Sequence, residues 1–413
     1  MTFRIVEYYN RQLIRKVREK MSNVSPLRGS DRLTWIDAAR GFAILGIFVV
    51  NIGAFSAPYF LYGGEDDAWT STVDQYTQAF IDIFFQASFY TLFSILFGFG
   101  LQILKERLVE KNIDVIPFLF RRLFILIGFG MVHAFLIWHG DILLSYGVVG
   151  LFFLLFVHRR AKTLIVWGIL MLGLNVFYYS SLLYNVRAFL GGYDSALINQ
   201  VKRNYGSGDL FAVLTQNMND WLYANGVFSS ILLLMTLLPL FLFGMYIARK
   251  RWLHKPDVHK RKLWVLWGIS LLFFIVLKMG PHLYGNPIWF SYIQDNVGGT
   301  ASALFYLFSI TLLFQSEIGK RIFMPFTYVG RLSLTNYISQ SVISFVLFYG
   351  VGFGLYGSVR PITAMGIVVI VYILQILGSK WWLKKYRFGP LEWLWRSLTY
   401  KKKQPLRKAE RMW

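Results

Sequence analysis

Not one cysteine occurs in the 413 residues. No disulfide framework, thiolate nucleophile or cysteine-ligated metal is therefore available. Charge is also scarce. Asp, Glu, Lys and Arg make up 15% of the chain, and 56% is hydrophobic; a soluble protein carries about 25% charged residues. Acids are scarcer still, 21 against 43 Lys and Arg, for a net charge of +22. The chain has no Walker loop and no His-Glu-x-x-His, and no nucleophile elbow announces a Ser-His-Asp triad. Six histidines scattered over six places offer no metal-ligand cluster, so neither a metal nor a tightly bound cofactor is expected.

What is present is a series of apolar runs of about twenty residues, the length that crosses a bilayer. The fold class this implies is all-α, a polytopic membrane protein of about ten transmembrane helices. The expected spans are 36–58, 78–103, 117–138, 141–157, 162–184, 224–248, 262–279, 296–315, 323–350 and 361–381. Positive charge alternates with them. With the N-terminus inside, segments 1–35, 105–122, 158–162, 249–262, 316–321 and 380–413 hold 36 of the 43 Lys and Arg. Arg187, Lys202, Arg203 and Arg360 fall outside, together with Glu65, Asp66, Asp67, Asp74, Asp194, Asp209, Asp220 and Asp295. Both termini are thus expected in the cytoplasm. Confined to segments flanking apolar runs, the basic charge points to anionic lipid and away from nucleic acid.

Three regions follow: a basic segment 1–35, a transmembrane domain 36–382 and a basic tail 383–413. Residues 1–35 are charged throughout and lack the apolar core of a signal peptide. Within them, 3–21 reads either as a basic amphipathic helix on the membrane or as a plain basic tail. The domain divides into a first half 36–184, a polar loop 185–223 expected over the outer mouth, and a C-terminal half 224–382. Pro239 is expected to kink or open its helix. Leu96-Phe97-Gly98 and Leu242-Phe243-Gly244 end two spans alike, too little for a repeat. Lys401, Lys402, Lys403, Arg407, Lys408 and Arg411 suggest a solvated contact with anionic lipid.

Polar groups inside apolar spans are costly, and so become candidates for function. Asp37 and Arg40 lie three apart on one helical face and offset each other's desolvation. Asn51 stands fourteen positions beyond Asp37, about 21 Å along a helix. His133 lies in the outer half of its span, where an imidazole can serve as a general base or simply bond its neighbours. Asp141 can cap the next helix and, through the hairpin turn, return to orient His133. His139 reads as a solvated turn residue. Further along, Arg331 and Thr335 are expected on one helical face, as are Asn336 and Gln340. Asn336 and Gln340 read as interhelical glue, and Arg331 as a fork for a phosphate or carboxylate.

Four marks carry a resemblance. They are Arg32-Leu33-x-x-Ile36-Asp37-x-x-Arg40-Gly41-Phe42-Ala43-x-Leu45-Gly46-Ile47, then Leu92-Phe93-Ser94-Ile95-Leu96-Phe97-Gly98, then Trp138-His139-Gly140-Asp141-Ile142-Leu143. The last is Gly330-Arg331-Leu332-Ser333-Leu334-Thr335-Asn336-Tyr337 with Gly389-Pro390-Leu391-Glu392-Trp393-Leu394-Trp395-Arg396. Together they resemble the YeiB-like family of bacterial multi-pass membrane proteins, which implies a place in the bacterial cytoplasmic membrane. The opening motif is similar to that of the transmembrane acyltransferases, the acyltransferase-3 proteins and the heparan-α-glucosaminide N-acetyltransferases. Those enzymes move an acyl group from cytosolic acyl-CoA to an acceptor on the far side. The acyltransferase-3 pattern has its catalytic His fourteen residues after the Asp matching Asp37, where this chain has Asn51. The glucosaminide acetyltransferases also have Asn there and draw their His from between the first two spans, but residues 59–78 here contain none.

The resemblance implies acyl-CoA as co-substrate, with Arg40, Arg121, Arg122 and Arg331 meeting its phosphates. His133, Asp141 and Asn51 would be the catalytic set, and a sugar, lipid or other small molecule the acceptor. Direct transfer needs no protein nucleophile, which suits a chain without cysteine. The alternatives are a transporter or exporter, in which the same polar groups gate or couple protons, and a non-catalytic binding relative. An oligomer is compatible with all three.

Overall fold

The computed structural model describes residues 32–408, so the stretch at 3–21 and the final basic residue Arg411 lie outside the described residues. Helix α1 (Thr34–Ser56) opens the bundle. Two single turns, Tyr59–Tyr62 and Glu65–Ala68, lead to α2 (Thr72–Phe84) and α3 (Ser88–Glu110). A hairpin of α4 (Val115–Leu136) and α5 (Leu143–Phe153) is followed by α6 (Ala161–Asn185). The polar connection between the halves folds into α7 (Ser195–Tyr205) and α8 (Leu210–Ala224). Then come α9 (Val227–Arg249), α10 (Lys260–Phe274), α11 (Gly299–Leu313), α12 (Glu317–Arg331), α13 (Ser333–Phe348), α14 (Pro361–Lys385) and the tail helix α15 (Pro390–Tyr400).

Among the described residues, eight helices are long and apolar enough to cross a membrane, so the chain is a polytopic helical membrane protein. They are α1, α2 continuing into α3, α4, α6, α9, α10 extended to Tyr284, the stretch Ile288–Leu313 that ends in α11, and α14. The other two expected spans take different forms. Residues 141–157 form the shorter apolar helix Leu143–Phe156, about 21 Å long against a hydrocarbon core of about 30 Å. Residues 323–350 are not one helix. The chain leaves helical geometry at Leu332 (φ −116°, ψ 36°), between α12 and α13. Arg331 and Thr335 therefore sit on separate helices and do not share a face. The break is held from the tail, because the Glu392 carboxylate accepts from the first free N–H groups of α13, Leu334 at 2.7 Å and Thr335 at 3.0 Å. Those donors have no partner within their own helix, and a carboxylate suits the positive end of its dipole.

Helix α1 runs through the middle of the core, burying Ala38, Ala39, Gly41, Ala43, Ile44, Gly46 and Phe48. It approaches α12 backbone to backbone. A Cβ on Gly41 would stand 1.9 Å from the Phe326 carbonyl oxygen, and one on Gly330 would stand 1.9 Å from that of Asp37. Small residues give this closeness where lipid supplies no hydrophobic drive between helices. The two Leu-Phe-Gly endings also meet: Gly98 lies against Phe241 of α9, and Gly244 against Ile95 of α3. Helix α9 continues through Pro239 without the expected opening.

Contacts at the helix ends sort them onto two faces. Trp35 donates to Leu253 O (3.0 Å), Lys105 to Val157 O (2.7 Å) and Trp395 to Arg122 O (2.9 Å). These bonds gather the start of α1, the end of α3, the start of α4 and the tail on one basic face. At the opposite face, Arg360 holds Asp74 at 2.9 Å and Gly350 N bonds Tyr205 O at 2.7 Å. The tail is docked rather than wholly solvated. Trp395 packs on α4, and an isolated bridge pairs Tyr386 with Arg407, while Lys401, Lys402 and Lys403 stay exposed.

Candidate functional site

Two buried polar centres lie along α4. Toward its far end, the His133 Nδ1 stands 2.6 Å from Asp141 Oδ1, with both side chains essentially fully buried. The hairpin makes this pairing. Helix α4 ends at Leu136, the Trp138 N–H returns to His133 O at 2.9 Å, and Asp141 Oδ2 accepts from Leu144 N at 2.6 Å as α5 begins. The carboxylate thus serves α5 and the imidazole together. The other imidazole nitrogen, Nε2, is buried with no hydrogen-bond partner. The Tyr337 ring of α13 packs 5.2 Å from the His133 ring, in the field of Asp141.

Asn51 is half-buried on α1, and among the described residues no hydrogen bond joins it to His133 or Asp141. It lies one helical turn below Phe55, whose ring stacks 3.9 Å from that of Trp138. His133 lies a similar step below Trp138, so Asn51 and His133 stand at about the same depth.

The second centre is at the basic face. Asp37, 4% exposed at its side chain, takes Arg32 on Oδ2 and Arg40 on Oδ1 at 3.4 Å. The close crossing of α1 and α12 brings Arg331 into the same electrostatic field, and its Nε is buried without a partner. Arg396 of α15 lies within reach of the charges of Arg32 and Arg40, and Arg122 within reach of those of Arg396 and Arg40. Arg122 also stacks over the Trp395 ring at 3.7 Å. Four arginines thus gather around Asp37 and Glu392, with Arg122 beside two of them, and Glu392 is already occupied by α13. Burial holds Arg396 below its ordinary value and raises the Glu392 carboxyl against the hydrogen bonds it accepts. Arg121 takes a structural part: it donates to Thr399 O at 3.0 Å and ties α15 to α4.

Asn336 and Gln340 stand at the α13–α14 contact. Asn336 donates to Ser379 Oγ at 3.0 Å, and Gln340 to Gln375 Oε1 at 2.9 Å. Two further clusters escaped sequence reasoning. Asp220 is 1% exposed and accepts from Tyr62 (2.6 Å), Tyr205 (2.7 Å) and Gln216 (2.6 Å). His139 is not the solvated turn residue expected. It is 7% exposed, 3.6 Å from Asp220, and burial lowers its pKa despite that carboxylate. In the second half, Lys278 is fully buried between Asp295 (3.2 Å) and Asp82 (3.6 Å), and Asp82 also meets His282 at 2.8 Å. Both Lys278 and Asp295 sit in π-helical turns, Ile275–Met279 and Gln294–Gly298. Lys278 at the edge of an apolar run was the available sequence signal, but Asp82 lies far off in the chain, and Asp295, 17 positions on, meets it only after the chain turns back.

Residues 247–402 match a family described as "Protein of unknown function (DUF418)". The chain is 32% identical to the uncharacterized protein YxaH of Bacillus subtilis, over 95% of this chain and 100% of that one. It is 30% identical to the uncharacterized protein YeiB of Escherichia coli, over 91% and 98%. An uncharacterized 39.9 kDa protein from the amylase 3' region of Bacillus acidopullulyticus is 27% identical over 93% and 98%. This is a bacterial-type multi-pass helical membrane protein. It belongs to the YeiB-like family. No solved structure matches it.

Proposed function

We propose that this protein is a membrane acyltransferase, moving an acyl group from acyl-CoA at the basic, cytoplasmic face to an acceptor toward the other side of the bacterial cytoplasmic membrane. One observation carries the reading: a buried imidazole whose Nδ1 is fixed by Asp141 while its Nε2 is left unpartnered. That is the arrangement of a general base held in one tautomer by its orienting carboxylate. His133 Nε2 takes the proton of an acceptor hydroxyl or amine as that oxygen or nitrogen attacks the thioester carbonyl. The carbon–sulfur bond breaks, and the leaving thiolate receives the proton back from the imidazolium. The product is an ester or amide and free CoA.

The arginines supply the donor's anchor. Arg40, Arg122 and Arg331, with Arg32 and Arg396, meet the CoA phosphates, and Arg331 Nε is already buried and unsatisfied. Arg122 and His133 lie eleven residues apart on α4, about 16 Å, a gap for the extended pantetheine arm to cross. Asn51, at the depth of His133, bonds the carbonyl or the acceptor. Holding donor and acceptor in register supplies much of the acceleration. The acceptor belongs to the class of sugars, lipids and other small hydroxyl or amine carriers.

The test is thiol release from a panel running from acetyl- to palmitoyl-CoA, with purified protein in lipid nanodiscs. The wild type is expected to release CoA, and His133→Ala to lose about 10²–10⁴-fold of that rate while still binding CoA. If no acyl-CoA binds at millimolar concentration, the reading fails. A second reading, a proton-coupled transporter, is favoured by Lys278, which sits between two carboxylates in paired π-helical turns, a distortion frequent at functional sites. Gradient-dependent flux with no covalent change would select it.

A further inference from the structure

A groove of about 1130 Å³ runs between α6, α9, α10 and α11, and no residue of α4 lines it. Its wall on α6 extends from Ile165 to Asn185, about 30 Å, which matches the hydrocarbon core of a bilayer. Aromatic residues mark both ends, Tyr246 and Trp252 toward the basic face and Tyr184 and Trp289 toward the other. Such rings favour the two membrane interfaces.

The two halves of the groove differ. From Ile165 to Val176 the α6 wall is wholly apolar, a length of about 16 Å or one leaflet. Beyond it come Ser180, whose buried Oγ has no partner, then Ser181 and Asn185. The apolar half opens toward a basic mouth. Lys262 lies 4.2 Å over the Trp252 ring, and Lys250 lies 5.7 Å from the Tyr246 ring. Both rings line the groove. The two ammonium groups therefore stand where the headgroup of a basic-side leaflet lipid would be, and among the described residues neither has a carboxylate in salt-bridge range.

We propose that this groove is a binding site for an anionic glycerophospholipid of the basic-side leaflet. Its acyl chains lie along Ile169, Leu172 and Phe243, and its phosphate lies between Lys250 and Lys262. The site is independent of acyl transfer, and its test reads none.

Gly173 lines the groove, and a Cβ added there meets nothing within 4 Å. Gly173→Leu therefore fills the groove without crowding the fold. Protein in nanodiscs of equal phosphatidylglycerol and phosphatidylcholine is released from the lipid and examined by native mass spectrometry. Wild type is expected to retain phosphatidylglycerol preferentially, and Gly173→Leu to lose that adduct about tenfold. Lys250→Gln with Lys262→Gln is expected to cut phosphatidylglycerol retention about tenfold and leave phosphatidylcholine retention unchanged. Equal retention of the two lipids by wild type overturns the proposal. So does a Gly173→Leu variant that keeps the adduct, or a wild-type dimer that Gly173→Leu makes monomeric, since a second copy would then cover the groove.

Discussion

At the face opposite the arginines, the Asp220 carboxylate receives a hydroxyl from Tyr62, a hydroxyl from Tyr205 and the amide of Gln216, all neutral and all within 2.7 Å. At the basic face, Asp37 serves Arg32 and Arg40 while Arg331 and Arg396 stand by, one with a buried nitrogen unbonded. Every donor that reaches the Asp220 carboxylate is neutral, and the one buried group left over beside it, the Tyr349 hydroxyl stacked on Tyr205, is neutral too. The basic cluster has more donors than acceptors, and its other acid, Glu392, is committed to the start of α13. Buried donors left over in this way are costly. An excess of guanidinium at a membrane face is thus a standing demand for an anion, and the proposed function meets that demand with the CoA phosphates.

The two faces should differ most at Asp37. Asp37→Ala leaves two partly exposed guanidinium groups, 34% and 29% exposed at their side chains, without their shared buried carboxylate, a loss expected to cost about 2–4 kcal/mol once solvent screening is allowed for. Thermal unfolding in detergent should show it as a large drop or as failure to fold. Asp220→Asn keeps an acceptor for the neutral donors around it and should cost less, about 1–3 kcal/mol. Equal losses at both faces would mean that the basic cluster is no more dependent on charge than the other.

Arg331→Met probes the basic face by removing a donor instead of an acceptor. It removes a cation whose Nε has no partner, so the unfolding temperature should hold or rise. Affinity for CoA should fall by about 10–100-fold, the worth of a hydrogen bond to a charged group. Isothermal titration with CoA reads this directly, and unchanged affinity would take Arg331 out of the anion site. A smaller effect is expected at the crossing that positions Arg331. Gly330→Ala places its Cβ 1.9 Å from the Asp37 carbonyl oxygen, and forcing α1 and α12 apart should cost about 1–3 kcal/mol. The same change at Gly173, where the space is open, should cost nothing measurable.

Much of the helical order was legible in the sequence, because hydrocarbon demands long apolar runs and lipid-facing charge is expelled to their ends. Each expected span has a helix within it. The break at Leu332 was not legible, since the residue that holds it, Glu392, arrives from 57 positions or more along the chain. The pairing of His133 with Asp141 could be read because a short hairpin joins them. The convergence of Arg32, Arg40, Arg122, Arg331 and Arg396 could be read only in part, because it depends on where α12 and α15 pack. Asp220 and Lys278 show the same limit. Each looks like an ordinary loop or boundary charge until tertiary packing buries it.

The least of these effects is expected beside the Asp220 carboxylate. His139 sits in the turn between α4 and α5, 3.4 Å from the Tyr205 hydroxyl and 3.6 Å from Asp220. Burial lowers its pKa in the fold, with Asp220 opposing but not cancelling that shift. In the unfolded chain an imidazole titrates near 6.5. The folded protein therefore binds a proton at His139 less readily than the unfolded chain does. Stability is fully present above about pH 6.5 and declines as pH falls through the depressed folded value. Unfolding temperatures measured from pH 7.5 down to 5 should fall on the acid side, and His139→Gln should flatten that slope while leaving the pH 7.5 value nearly unchanged. A slope that survives the substitution would place the acid sensitivity elsewhere.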